Sequence, residues 1–245
     1  MAIAFDAVSP DTFSNANVSS LTTGAWTIAG ANRLLLAAMA SGAGTPQNPS
    51  SCNWQGSGGT ALTQIGSTLN IGANGKLSVF RLIAPTAAAD TLYGAWGAAQ
   101  DETILGGVSY TGVDQTTPVG TPVTNTGTLT GGGGDMTVNV PTAVGDLVVA
   151  VFFLLDFNGN NPLLTPNGTP AATGRYDVEG SELGFEALQI QEVVATGTTT
   201  TVSCAAAPTS GSLSAEWGVI AFVVNAATGG GSPDPVVGRR IWVMP

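Results

Sequence analysis

The chain contains no histidine, and its charged residues are scarce. Only 9% of its 245 residues are Asp, Glu, Lys or Arg, against roughly 25% in an average soluble domain. Without histidine, Ser-His-Asp triads, histidine general bases and histidine-ligated metals are excluded. The Gly-x-Ser-x-Gly nucleophile elbow and the phosphate-binding Gly-x-x-x-x-Gly-Lys-Ser/Thr loop are also absent. We therefore expect a protein that is not an enzyme and needs no cofactor.

Positive charge is especially rare. The chain has 6 Lys and Arg against 16 Asp and Glu, so its formal net charge is 6 − 16 = −10. This excess of negative charge opposes binding to nucleic acid and to anionic lipid. The longest apolar stretch, Leu147 to Leu155, ends at Asp156 and is shorter than the ~18 residues of a membrane helix. The start, Met1 to Asp6, lacks the basic and apolar regions of a secretion signal. We expect no nucleic acid partner, no membrane span and no signal peptide.

Cysteine is limited to two residues, Cys52 and Cys204. Two thiols in opposite halves of the chain are too few for a disulfide framework or a zinc site. One bridge between them remains possible, but two buried free thiols are the preferred interpretation.

Helical periodicity is nearly absent, because Gly or Pro interrupts every candidate segment. Some thirteen short apolar stretches, bounded by Gly, Pro, Asn or Asp, are typical of strands instead. They predict an all-β protein: an antiparallel double-sheet sandwich of the jelly-roll or Greek-key type. The uninterrupted runs Leu34 to Leu36 and Leu147 to Phe153 predict central strands that are buried on both faces.

The two halves of the chain echo one another at an offset of about 110 residues. Asn32 to Leu36 corresponds to Gly145 to Val149, and Gly106 to Tyr110 corresponds to Trp217 to Ala221. We expect one sandwich domain over residues 1–228, built from similar halves of about 1–125 and 126–228. Two tandem sandwiches are the alternative, in which the glycine run at 131–134 would be a linker rather than a loop tip.

The last residues differ from the rest. Residues 229–235 form a Gly/Pro linker, and residues 236–245 hold two of the six cations beside apolar side chains. An exposed apolar segment on a linker favours docking, either on a neighbouring subunit by β-augmentation or on its own sheet. The predicted interface residues of this arm are Arg239, Arg240, Ile241, Trp242, Val243 and Met244.

Acidic residues offer the remaining routes to chemistry. A hydrolase with paired carboxylates would draw on Asp101 with Glu102, or on the group Asp177, Glu179, Glu182 and Glu186. The second group flanks a Gly-Ser turn, so we expect a solvated loop.

One loop places oxygen-bearing side chains at alternate positions, as calcium loops do. Asp156, Asn158 and Asn160 are therefore weak candidate metal ligands, although the bidentate glutamate of a calcium loop is missing. A turn stabilised by its own Asx side chains after a buried strand is the simpler interpretation.

The five tryptophans could supply a sugar-stacking surface. Trp26, Trp54, Trp96 and Trp217 lie in or beside predicted strands, which favours core positions. Trp242, in the arm, is the one we expect to anchor an interface.

Four segments resemble a known family. The turn Gly112 to Gly120, with Asn32 to Leu36, Gly58 to Ile65 and Leu82 to Pro85, is similar to a β-sandwich module of bacterial secreted proteins and tailed-phage structural proteins. The resemblance covers about residues 25–155. It implies a β-sandwich in an extracellular or virion setting and carries no catalytic motif.

The missing signal peptide and the docking arm favour the phage version of this module, similar in kind to capsid decoration (cement) proteins. We therefore expect a homo-oligomer on the capsid exterior that contacts the major capsid protein or another virion protein. The alternatives are a tail-fibre or surface adhesion module that recognises host carbohydrate, and a subunit of an extracellular filament.

Overall fold

The computed structural model describes residues 2–42, 44–160, 162–178 and 186–227. Within these ranges the chain forms β-strands and no helix, so no helix of the described part could cross a membrane. The predicted all-β class is confirmed. The strands are β1 (Ala4–Val8), β2 (Phe13–Ser14), β3 (Val18–Thr22), β4 (Trp26–Thr27), β5 (Leu34–Gly42), β6 (Pro49–Trp54), β7 (Thr60–Ala61), β8 (Thr63–Ile71), β9 (Gly75–Ile83), β10 (Ala89–Asp90), β11 (Leu92–Gln100), β12 (Glu102–Thr111), β13 (Val123–Gly131), β14 (Gly134–Pro141), β15 (Leu147–Asp156), β16 (Pro162–Asn167), β17 (Thr173–Val178), β18 (Glu186–Val194), β19 (Thr199–Pro208) and β20 (Leu213–Val224).

Four antiparallel sheets contain most of these strands. The first half of the chain makes an inner sheet in the order β1-β12-β5-β9-β8 and an outer sheet in the order β3-β11-β6-β7. The second half makes an inner sheet in the order β13-β20-β15-β18-β17 and an outer sheet in the order β14-β19-β16. We call these the first and second inner and outer sheets.

Both halves have the same topology. When the eight principal strands of each half are counted in chain order, each inner sheet has the order 1-8-3-6-5 and each outer sheet has the order 2-7-4. This is a jelly roll whose fifth strand joins the edge of the inner sheet. In the first half, β7 still pairs with outer strand β6 before β8 continues onto β9. The segments that echo each other in sequence, around β5 with β15 and β12 with β20, occupy equivalent places.

The two jelly rolls stack through their inner sheets, so the described chain has four layers. One core lies between the two inner sheets, and each outer sheet covers a further core with the inner sheet of its own half. Strands β5 and β15 lie at the centres of the inner sheets and are buried on both faces. This arrangement explains their continuous apolar runs and confirms the prediction that both are central.

Two glycines let the inner sheets approach closely. A Cβ at Gly106, in the eighth strand of the first half, would overlap the ring of Tyr176 in the fifth strand of the second half. Reciprocally, a Cβ at Gly218 would come within 2.7 Å of Ile71, in the fifth strand of the first half. The Tyr176 hydroxyl also donates a 3.1 Å hydrogen bond to the Leu105 carbonyl. The two halves therefore meet in a nearly two-fold manner.

Several further predictions have clear outcomes. Cys52 and Cys204 are buried free thiols in opposite outer sheets, as preferred. The glycine run at 131–134 spans the turn between β13 and β14, where the chain passes from the second inner sheet to the second outer sheet. The chain passes from the first pair of sheets to the second between Thr111 and Val123, just before the predicted boundary near residue 125.

The turn from Gly112 to Gly120 closes one end of the inner interface. It bonds both to the start of β5 and to the end of β20: Val113 donates to the Asn32 carbonyl at 3.0 Å, and Asp114 donates to the Asn225 carbonyl at 2.8 Å. Asp114 also accepts hydrogen bonds from the backbone amides of Thr116 and Thr117 through one carboxylate oxygen. We call this the closed end, since its backbone groups pair across the two halves.

Candidate functional site

Three glutamates lie at the opposite end of the same interface. Alternate residues of β12, β18 and β20 face the core between the inner sheets, and that apolar series ends at Glu102, Glu186 and Glu216. Side chains two residues apart share a face of a strand, so all three carboxyl groups continue the inner faces. We call this the acidic end.

A pocket of about 290 Å³ opens at the acidic end. Both halves contribute to it, because Glu102 and Gly42 belong to the first inner sheet, whereas Leu155 belongs to β15 of the second. Phe157, just beyond that strand, is 45% exposed and is the one large aromatic side chain so exposed among the described residues. The wall includes Gly42, Asn74, Asp101, Glu102, Leu155 and Phe157.

Glu186 is the most unusual group of the site. Its side chain is fully buried, and neither carboxyl oxygen has a hydrogen-bond partner within the part of the chain that the structure describes. The carboxyl group lies against the Cα of Gly42, where any other residue would place a Cβ on it. Burial, and secondarily the charge of Glu102, raise the pKa of Glu186 well above its ordinary value. Ionisation of Glu186 is therefore disfavoured unless a cationic or hydrogen-donating guest reaches it.

Glu102 is half-buried beside it. Burial, with a smaller contribution from the neighbouring Asp101 charge, raises the pKa of Glu102 to about 7. Its protonated and ionised forms are therefore both populated at neutral pH. A carboxyl group in this state responds strongly to a nearby positive charge, which favours the ionised form.

Glu216 completes the acidic end on its other side. Its carboxyl group packs against Gly72, in the turn between β8 and β9, and one of its oxygens is buried without a partner in the described structure. Gly72 has φ +53°, a backbone conformation that favours glycine. The absence of a side chain there leaves the room that the carboxyl group occupies.

The predicted groups of acids are rearranged by the fold. Glu102 was grouped with Asp101 and Glu186 with Asp177, yet the structure brings Glu102 and Glu186 from the two groups together. Glu216 was missed, although its place in the alternating pattern of β20 was visible. Glu179 and Glu182, and the arm residues Arg239, Arg240, Ile241, Trp242, Val243 and Met244, lie outside the described residues.

The candidate metal ligands bind backbone groups instead of converging. Asp156 accepts from the amides of Asn160 and Ser214, both at 2.9 Å. Asn158 and Asn160 both donate to the Ser212 carbonyl, at 3.0 and 2.7 Å. In the described ranges no three His, Cys, Asp or Glu side chains are grouped as metal ligands. The loop is a turn tied to the start of β20.

The described tryptophans are core residues. Trp26, Trp54, Trp96 and Trp217 are all at most 6% exposed, as the sequence favours. Trp26 and Trp54 pack edge to face, with ring centroids 5.4 Å apart. Trp54 and Trp96 are therefore not available as a sugar-stacking surface. Trp242 lies beyond the described part.

Comparison with known proteins adds no relative: no family model matches the chain, and neither does a curated protein or a solved structure. The stacked jelly rolls, the acidic end and the scarcity of positive charge are the features of the chain that bear on its function.

Proposed function

We propose that this protein is a structural component of a phage particle, most simply a decoration protein that binds the capsid exterior and braces neighbouring capsid subunits. The observation that carries the proposal is the pair of jelly rolls stacked through a buried core. Jelly rolls recur in viral capsid proteins and in lectins. The resemblance of residues 25–155 to phage structural modules supports the same assignment.

The mechanical properties of the body suit such a role. Four close-packed sheets with three cores resist deformation, because packed interiors have low compressibility. Most large aromatic side chains of the described strands are buried. Binding to a shell would then depend on neutral hydrogen-bonding groups of the surface and on the arm at 236–245, whose Trp242 has the character of an interface anchor.

Deleting Val236 to Pro245 tests this proposal. We expect particles assembled with the shortened chain to lose the protein during purification, or to disrupt at a lower temperature than particles with the full chain. The same ten residues in scrambled order form the matched control for length and composition, and should fail like the deletion. Full occupancy and unchanged heat resistance in the deletion particles would count against a decoration role that acts through the arm.

Carbohydrate recognition is a second candidate, favoured by one observation. Phe157 is exposed beside Asp101 and Asn74 in the pocket, and an aromatic ring next to amide and carboxylate groups suits a sugar. This alternative assigns the pocket to a host glycan. A glycan array with the wild-type chain and a Phe157→Ser variant separates the two, because a decoration protein has no need of such binding.

A further inference from the structure

The acidic end has the properties of a binding site whose guest carries positive charge. Glu186 is fully buried with both carboxyl oxygens unpartnered in the described structure, and it lies against Gly42 and beside Glu102, which line the pocket. A buried polar group without a partner is costly, and a guest that donates hydrogen bonds removes that cost. A neutral sugar supplies donors, but it carries no positive charge to pair with Asp101 and Glu102, which line the pocket.

A guanidinium group fits this site better than a metal ion does. The described residues place no group of three acidic, Cys or His side chains as metal ligands. The pocket instead combines carboxyl groups with the apolar surfaces of Leu155 and Phe157. Guanidinium is planar, donates five hydrogen bonds, pairs with carboxylates and stacks on aromatic rings.

The chain itself contains few cations that could be the guest. Of the six, Arg33 donates to the carbonyls of Gly30 and Pro85, Lys76 donates to Asn70, and Arg175 pairs with Glu192. Arg81 lines a different pocket, between β8 and the segment after the closed end. Arg239 and Arg240 are adjacent to one another and precede Ile241 and Trp242 in the arm. They are the two cations that lie beyond the described residues.

The position of β20 indicates whether the arm binds the pocket of its own chain or that of a second copy. Strand β20 runs from Leu213 and Glu216 at the acidic end to Val224 at the closed end, where the Ala227 amide donates to the Gly112 carbonyl. The last described residue therefore lies at the end opposite to the pocket. The 12 residues of β20 span about 40 Å at roughly 3.3 Å per residue.

The linker is too short to bring the arginines back easily. Residues 228 to 239 include the Gly-Gly-Gly-Ser run, and a flexible chain of about twelve residues has a typical end-to-end distance of about 20 Å. Only a fully extended linker, about 40 Å long, would span the body. The entropy of the linker thus favours a pocket on a neighbouring molecule.

We propose that Arg239 and Arg240 of one copy bind in the acidic pocket of a second copy, so that copies associate head to tail. The proposal rests on the docking arm of the proposed function and names its receptor. The contact is heterologous, since the arm at one end of each copy meets the pocket at the other end of the next. Such contacts close into a ring or continue as a filament.

Mixing two complementary variants tests the proposal on the full-length chain. One variant carries Arg239→Ser with Arg240→Ser, and the other carries Glu102→Gln with Glu186→Gln. Native mass spectrometry and sedimentation should show wild-type oligomers that grow with concentration, whereas each variant alone self-associates at least tenfold more weakly. The equimolar mixture should form one-to-one dimers and nothing larger, because only one arm and one pocket remain competent. Lys76→Gln, which removes an unrelated cation, should leave the wild-type oligomers unchanged.

Several outcomes would overturn the proposal. These are a wild-type chain that stays monomeric, a mixture that forms no dimer, and oligomers that survive the arginine changes but dissociate with a chelator or with free sugar. Occupancy on phage particles is measured separately. Particle binding that persists without self-association would refute the head-to-tail contact alone, whereas self-association without particle binding would refute the proposed function alone.

Discussion

The two ends of the inner interface differ in how they treat polar groups. At the closed end, the turn from Gly112 to Gly120 pairs its backbone groups with the start of β5 and the end of β20. At the acidic end, Glu102, Glu186 and Glu216 extend the same inner faces with buried or half-buried carboxyl groups, and oxygens of Glu186 and Glu216 have no partner in the described structure. One end is thus satisfied within the chain, and the other is prepared for a guest. We therefore expect substitutions at the closed end to lower stability, and we expect binding at the acidic end.

The largest effect is expected from disturbing the closed end at Gly30. This residue has φ +71°, and a Cβ there would come within 2.6 Å of the Thr111 methyl group. Left-handed strain of roughly 1–2 kcal/mol and overpacking of roughly 1–3 kcal/mol should together lower the free energy of unfolding of Gly30→Ala by about 3 kcal/mol. Urea denaturation measures the change.

Gly131→Ala is the matched control. Its φ of +72° is nearly the same, but a Cβ there has nothing within 4 Å. The control should lose only the strain, roughly 1–2 kcal/mol. Equal losses in the two variants would show that the closed end tolerates the extra methyl group and is looser than described.

At the acidic end, by contrast, a substitution should increase the free energy of unfolding. The amide of Glu186→Gln cannot ionise, so this variant should be more stable than the wild type above neutral pH, by about 1.4 kcal/mol for each unit by which burial raises the pKa of Glu186. Glu102 and Glu186 have raised pKa values when folded, so folding favours their protonated forms. Stability of the wild type should fall as pH rises from 4.5 toward about 7, the window given by Glu102.

Thermal unfolding between pH 4 and pH 9 measures this slope. The slope should flatten in Glu186→Gln and flatten further when Glu102→Gln is added. Asp135→Asn, which removes one negative charge from β14 in the second outer sheet, is the control for net charge. An unchanged slope in the double variant would mean that the two glutamates are not buried as described.

The sequence predicted the fold class because alternation and turn residues are local properties. The uninterrupted runs of β5 and β15 correctly indicated strands covered on both faces. Among the strands that the sequence did not reveal are β3 and β6 of the first outer sheet, β13, which is rich in Thr, Asn and Gly and largely exposed, and β16, an edge strand that contains two prolines. Edge strands tolerate proline and carry a weak apolar signal, so pattern alone underestimates them.

The candidate site was only partly accessible to sequence reasoning. Glu102 and Glu186 were both singled out, but each was grouped with its chain neighbours, because proximity across stacked sheets depends on tertiary packing. Glu216 needed the alternation of β20 to be extended past Gly218 to the start of the strand. The pocket could not be predicted at all, since it forms only where the ends of two inner sheets meet.

The smallest effect is expected from Asp114 at the closed end, where stability should depend on pH in the opposite direction to the acidic end. Backbone hydrogen bonds from Thr117 and then Thr116 lower the pKa of Asp114 below 3.8. The ionised Asp114 carboxylate stabilises the folded chain above pH 3.8, and this stabilisation is lost as pH falls through the lower pKa of the folded chain. The trend is the reverse of that at Glu102. Asp114→Asn should therefore be less stable than the wild type at pH 6, and the difference should be smaller at pH 2. If the difference between the two chains were the same at both pH values, the loss would come from the altered turn geometry, and the two ends would no longer titrate in opposite directions.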